Sequence, residues 1–319
     1  MPTGKFVSVT VHENNWRSLA SKDFGLSTLI AKIMLESREP ILDVNGPCLF
    51  AASDYGGAHR QSSYEIYSVL LSDLMYCDAW QRARVGIRTK FLADGRRMSY
   101  KGLNDGHRRR ALVPFLAAAD KIPGMCVSLA VSKSVGTLFQ RDSSPINPAL
   151  TDCLAWSKSL FERVLRIVHV VSFWIAGLSR PNQDVLWFSD EDEIAANPET
   201  LKLLTKVWAN VMNNYTVHPL RHLRCGTTKC DDGSKSIEDF AAIPDLVAGG
   251  LSDLLTAISG KYQIGLVLPY GRNCKPKAHV IGHWLSQRRG ILQKVVLVVD
   301  KDASGLTITR LKFSDCSPS

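Results

Sequence analysis

The sequence has little that would tie it to a membrane. Its most apolar long stretch, residues 164–178, is broken by Arg166, His169 and Gly177. It falls short of the roughly 20 residues that a spanning helix needs and reads as a buried helix. The opening residues Met1-Pro2-Thr3-Gly4-Lys5 hold no apolar core of the kind a secretory leader carries. The eight cysteines are scattered. The nearest two, Cys225 and Cys230, have no second pair to complete a zinc knuckle, so free thiols in a reducing cytoplasm are expected. No Ser-His-Asp pattern or nucleophile elbow is present, which argues against a small-molecule hydrolase. His279 and His283 stand four apart but lack the neighbouring Glu of a zinc-protease motif. Internal repeats and low-complexity tracts are also missing.

What is present is an ordinary globular composition. Hydrophobic residues make up 45% of the 319 and charged residues 22%, enough for a sizeable core without a disulfide or metal staple. Lysine and arginine outnumber aspartate and glutamate by 39 to 30, a net +9. That excess is compatible with nucleic acid or another polyanion without requiring one.

The chain is organised around Pro47-Cys48-Leu49-Phe50-Ala51-Ala52-Ser53-Asp54-Tyr55-Gly56-Gly57. An apolar run ends in an aspartate and two glycines, the pattern of a buried strand entering a turn. Residues 63–71 read as a second strand. Asp54 at the strand tip is then either a turn former or the first ligand of a metal site. Residues 83–91 are expected as a third, basic strand. Asp94-Gly95 is a hairpin signal, with residues 97–100 returning as a strand.

Asn104 is expected to cap a helix over the following residues, with Pro114 inside it. Asp105 falls in its first turn, where a carboxylate favours the helix dipole. Arg108, Arg109 and Arg110 form either a solvated face or a phosphate-binding surface. Residues 124–132 read as a buried strand and residues 151–178 as a long helix. Residues 185–190 repeat the opening logic, four apolar residues running into Ser189-Asp190. The cluster Asp190-Glu191-Asp192-Glu193 costs stability unless solvent or a cation screens it. Asp190 directly ends the apolar run and is the expected ligand, with Asp192 as the second candidate.

Helix is expected over 198–213, strand over 220–227 and helix over 243–255, with Pro244 in the last helix's first turn. Asp245 is then an acid on an apolar, small-residue helix, where burial is expensive without a partner or cation. An N-cap or dipole role is the alternative. The remainder offers a strand at 264–268, a helix at 278–287 and a hairpin across 302–305. Lys275, Lys277, Arg288, Arg289 and Lys294 make this tail basic.

This order of elements, with acids at strand and helix ends, resembles the RNase H-like fold. It is most similar to a bacterial RNase H-like family of unknown function whose first strand ends Asp-Glu-Ser-Gly and whose late helix reads like Ala-Asp-Leu-Leu-Ala-Gly. The corresponding segments here are Ser53-Asp54-Tyr55-Gly56-Gly57 and Pro244-Asp245-Leu246-Val247-Ala248-Gly249. The resemblance covers residues 47–255. It departs from the family at Tyr55, where a Glu is usual, and at Asp105, which is shorter than the Glu on that helix in RNases H.

The resemblance implies an α/β fold, a mixed sheet flanked by helices, with a small C-terminal α+β extension. It divides the chain into a preamble (1–46), an RNase H-like domain (47–258) and a basic extension (259–319). It also implies that Asp54, Asp105, Asp190 and Asp245 are catalytic acids. Asp54, Asp190 and Asp245, with Asp192, would hold Mg2+ or Mn2+. Nucleic acid would be the partner, held by Arg108, Arg109, Lys275, Lys277, Arg288 and Arg289. The expected activity is that of a metal-dependent nuclease working through two metals. The alternative is a non-catalytic nucleic-acid-binding or scaffold protein that keeps the fold.

Overall fold

The structure is a computed structural model. It describes residues 25–36, 44–138, 156–190, 193–258, 267–268, 274–303 and 305–313. Residues 6–11, whose sequence suggests a short strand, and the insertion-like stretch 139–148 lie outside them. The described elements run α1 (Gly25–Glu36), β1 (Cys48–Gly56), β2 (Tyr64–Asp73), α2 (Asp78–Phe91), α3 (Gly106–Ala119), β3 (Gly124–Ser132), α4 (Lys158–Leu178) and β4 (Asp184–Ser189). They continue with α5 (Pro198–Tyr215), β5 (His222–Thr227), α6 (Ser236–Ile258), β6 (Val267–Leu268), α7 (Pro276–Ser286), β7 (Gln293–Asp302), β8 (Gly305–Arg310) and β9 (Lys312–Phe313).

The architecture is α/β, a mixed seven-stranded sheet flanked by helices. Its order is β5-β4-β1-β2-β3-β7-β8. β1, β4 and β5 are parallel neighbours, as are β3 and β7. β2 runs antiparallel to both β1 and β3, and β8 antiparallel to β7. β3 is buried at all nine positions, as a strand covered on both faces must be. The C-terminal stretch supplies β7 and β8 to this same sheet.

Alternation along the strands divides the interior into two cores. Leu49 and Ala51 of β1 and Val185 and Trp187 of β4 face α1, α4 and α5. Phe50 and Ala52, with Leu186 and Phe188, face α2, α3, α6 and α7. The stretch 164–178 lies within α4 and is mostly buried, as expected. α6 is the described helix long and apolar enough to cross a bilayer, and it is largely covered by the second core.

Three expectations are corrected here. Residues 83–91 belong to helix α2, because the apparent alternation is a helical stripe: Trp80 and Ile87 are buried, and Ala83 and Phe91 pack beside them. Asp94-Gly95 does turn the chain, with Gly95 at φ 76°, but residues 97–100 form no strand. α6 begins at Ser236, so Pro244 lies inside the helix rather than in its first turn.

Buried charge fixes α2 against α6. Asp239 is fully buried and accepts from Arg88 Nε and Nη2, both at 2.6 Å, and from Arg84 Nη1 at 3.1 Å. Arg84 also donates to the Ser234 carbonyl at 2.8 Å.

Candidate carboxylate site

Ser53 of β1 pairs in register with Ser189 of β4. The next residues, Asp54 near the carboxyl end of β1 and Asp190 just past that of β4, therefore sit side by side on two parallel neighbours, which lie about 4.8 Å apart. Both sit at even-numbered positions that continue the Phe50/Ala52 and Leu186/Phe188 face, the face covered by α6. The chain passes from β1 to β2 and β3 on one side of β1 and later to β4 and β5 on the other. Asp54, near the carboxyl end of β1, and Asp190, just past that of β4, thus stand at the point where strand order reverses. Open α/β sheets take their ligands there.

α6 crosses this face at close quarters. A Cβ added to Gly56 would lie 2.7 Å from the Ala248 carbonyl oxygen, so glycine at the end of β1 lets the helix settle on the strand. Asp245 lies one helical turn before Ala248, in mid-helix and half-buried. That position rules out the N-cap role. Its Oδ2 accepts from the Tyr100 N–H at 2.7 Å. Burial pushes its carboxyl up to about 6; the Tyr100 N–H opposes this, the charge of Asp190 adds to it, and Lys101 and Arg97 pull it down. Asp245 and Asp190 therefore share one electrostatic neighbourhood.

Arg97 provides positive charge at the site. Its Nη2 lies 3.0 Å from Asp190 Oδ1 and 3.1 Å from Thr228 Oγ1, and Thr228 itself donates to Asp190 Oδ1 at 3.0 Å. Arg97 Nε also lies 3.5 Å from Glu238 of α6. Asp54 Oδ1 accepts from the Tyr55 N–H at 2.5 Å. The Tyr55 ring goes to the opposite face, packing on Tyr67 with its hydroxyl 2.6 Å from Ser53 Oγ. The residue that departs from the family pattern thus turns its side chain away from the carboxylates. Trp187 Nε1 completes that layer by donating to Ser53 Oγ at 2.8 Å.

Asp105 stands apart in role. It, not Asn104, caps α3, accepting from the His107 and Arg108 N–H groups at 3.0 Å each, and it pairs with Arg96 at 2.7 Å. The Arg108 N–H and the Arg96 guanidinium hold its carboxyl well below the usual range. Its helix lies between β2 and β3, whereas α4 is the first described helix after β3. Asp192 lies outside the described residues. Among the described residues, no three His, Cys, Asp or Glu side chains close into a metal-holding group.

The basic residues divide in the same way. Arg108 donates to the Arg97 carbonyl at 2.6 Å, so it braces the loop that carries Arg97. Lys275 pairs with Asp253 at 3.1 Å. Lys277 donates to the Tyr100 carbonyl at 3.1 Å and stacks over the Tyr100 ring at 4.2 Å. The Tyr100 hydroxyl donates to Asp253 at 2.6 Å. Lys294 is tied to Asp120 at 2.7 Å beneath Trp284. Arg109, Arg288 and Arg289 are exposed.

Sequence reasoning missed Arg97 and Tyr100. Their stretch has the composition of a strand, and nothing in it shows that Arg97 reaches Asp190 past the end of β4 or that Tyr100 reaches Asp245 on α6. Comparison with protein-family models, with curated proteins and with solved structures finds no match in any of the three.

Proposed function

We propose that this chain is an RNase H-like, divalent-cation-dependent phosphodiesterase acting on nucleic acid. One observation carries the reading: Asp54 and Asp190 follow register-paired residues of two parallel strands, on the face where α6 places Asp245. The sheet order and strand directions are compatible with the RNase H-like fold. The donor set suits Mg2+ or Mn2+, since three carboxylates offer hard anionic oxygens and leave room for water. Burial, and after it the charge of Asp190, raise the pKa of Asp245; a bound cation would offset both costs of ionising it.

In this reading Asp54, Asp190 and Asp245 hold the ion or ions. The Tyr100 N–H fixes the orientation of Asp245, and Arg97 with Thr228 fixes that of Asp190. A bound cation supplies Lewis acidity toward a phosphodiester oxygen and lowers the pKa of a water. Arg109, Arg288 and Arg289 add sequence-independent attraction for the phosphate backbone. A cytoplasmic setting accords with the free thiols of Cys48, Cys77, Cys126, Cys225, Cys230 and Cys274.

The Arg97–Asp190 ion pair favours a second reading, a non-catalytic nucleic-acid-binding protein whose carboxylates are balanced internally. One experiment separates the two. Thermal unfolding is followed with and without Mg2+ or Mn2+, beside cleavage of single- and double-stranded DNA and RNA. The enzyme reading expects cation-dependent stabilisation and cleavage, both lost in Asp54→Asn and Asp190→Asn. A wild type that gains no stability and cleaves none of the substrates makes the second reading the better one.

A further inference from the structure

The opposite face of the sheet holds a cavity that the carboxylate site does not use. Its volume is about 360 Å³, and Leu129 and Val131 of β3, Phe173 and Trp174 of α4 and Leu26 and Ile30 of α1 form much of its wall. Protein interiors pack with few voids larger than a water molecule, whereas pockets for small ligands start near this size and are mostly apolar with a few placed polar groups. Five polar side chains line this one: Ser27, Tyr67, Arg166, His169 and Tyr215. His169 Nδ1 and the Tyr215 hydroxyl lie 2.7 Å apart on its wall. Arg166 also lines it, held by Glu65 at 3.0 Å and Glu162 at 2.9 Å.

These polar groups restrict the charge of an occupant. The Arg166 guanidinium lines the cavity. Two carboxylates and the Gly136 carbonyl already satisfy it, so it offers an anion no net attraction. Burial pushes the His169 imidazole down to about 4, so it is neutral near pH 7 and adds no charge.

We infer that the cavity between α1, α4 and β3 is a binding site for a neutral, largely hydrocarbon or aromatic small molecule with one hydrogen-bonding group directed at His169 and Tyr215. The site lies across the sheet from Asp54, Asp190 and Asp245, and the inference stands apart from the proposed activity. Ligand selection is by shape and desolvation. A charged head group on an otherwise similar molecule weakens binding, because it would enter an apolar cavity with no uncompensated counter-charge.

The test uses the full chain and N-phenyl-1-naphthylamine, a neutral aromatic amine whose emission rises in apolar surroundings. Its sulfonated relative, 1-anilinonaphthalene-8-sulfonate, is the anionic control. Saturable one-to-one binding of the neutral probe is expected, at least tenfold tighter than that of the anion. Val131→Phe fills the cavity from the sheet side and should weaken the neutral probe at least tenfold, while Asp54→Asn leaves it unchanged. Val170→Phe is the second filling variant, at a half-buried position on α4, and serves if Val131→Phe lacks a cooperative melt. Three results overturn the inference: no saturable binding to wild type, equal binding of the two probes, or undiminished binding to a folded filling variant.

Discussion

Replacing Asp245 with Asn should stabilise the cation-free protein, and by an amount that depends on pH. The folded-state value of about 6 lies above the ordinary 3.8. Ionising Asp245 therefore costs folding free energy. The shift is about two units, and each unit corresponds to about 1.4 kcal/mol, so the full cost is ~3 kcal/mol. The sign follows from linkage. Well below pH 3.8 the carboxyl is protonated in both folded and unfolded chains and the cost is absent. It grows as pH rises from about 4 to 6 and is complete above that window. Asn keeps the shape and an oxygen acceptor for the Tyr100 N–H but cannot ionise. The variant and wild type should thus be closest at pH 4. By pH 7.5 the variant should lead by ~3 kcal/mol, a melting-temperature gain on the order of 5 °C for a chain of this size. Urea unfolding in EDTA at several pH values between 4 and 7.5 measures the gap directly. A gap that does not change with pH, or an Asn variant less stable at pH 7.5, would refute the electrostatic argument.

Other perturbations address neighbouring parts of the structure. Asp239→Asn strips the counter-charge from Arg84 and Arg88 and should cost about 3–5 kcal/mol in a denaturant melt; a loss under 1 kcal/mol would mean that the α2–α6 clamp is dispensable. Gly56→Ala pushes a methyl group against the Ala248 carbonyl and should cost about 1–3 kcal/mol. By moving α6 off β1, it should also weaken Mn2+ binding in calorimetry, and unchanged affinity would separate the α6 seat from the carboxylate site. Arg288→Gln with Arg289→Gln should make the slope of log affinity for DNA or RNA against log salt shallower by about 2, whereas an unaltered slope assigns these residues to solvent alone.

The strands that carry Asp54 and Asp190 were legible because each is an apolar run cut off by an acid, a pattern that depends only on neighbours in sequence. β3 was equally plain, since its nine consecutive buried positions are apolar or small apart from Ser128 and Ser132. α2 was misread because Arg84, a buried charge, occupies its core-facing stripe and breaks the helical period. Its partner Asp239 lies far along the chain, so no local window shows why an arginine belongs there. The start of α6 was placed late because Pro244 resembles a first-turn proline. The helix tolerates it in mid-course, with Pro244 buried among Ile243, Leu246 and Val247. The role of Arg97 depends on Asp190 and Thr228, each remote in sequence, and periodicity carries no trace of such a contact.

The pairing of β7 with β3 has a consequence for how the protein is made. Synthesis proceeds from the N-terminus, so the strands from β1 to β5 are complete while β7 is still untranslated. During that interval β3 has β2 on one side and an unpaired edge on the other, and it is apolar on both faces. Such an edge readily recruits strands from other chains, and a parallel partner so distant in sequence arrives slowly. The nascent protein therefore passes through a window in which the β7 side of β3 is open to association. A ribosome stalled before Gln293 would leave a product prone to aggregate, although its three candidate ligands had already been translated.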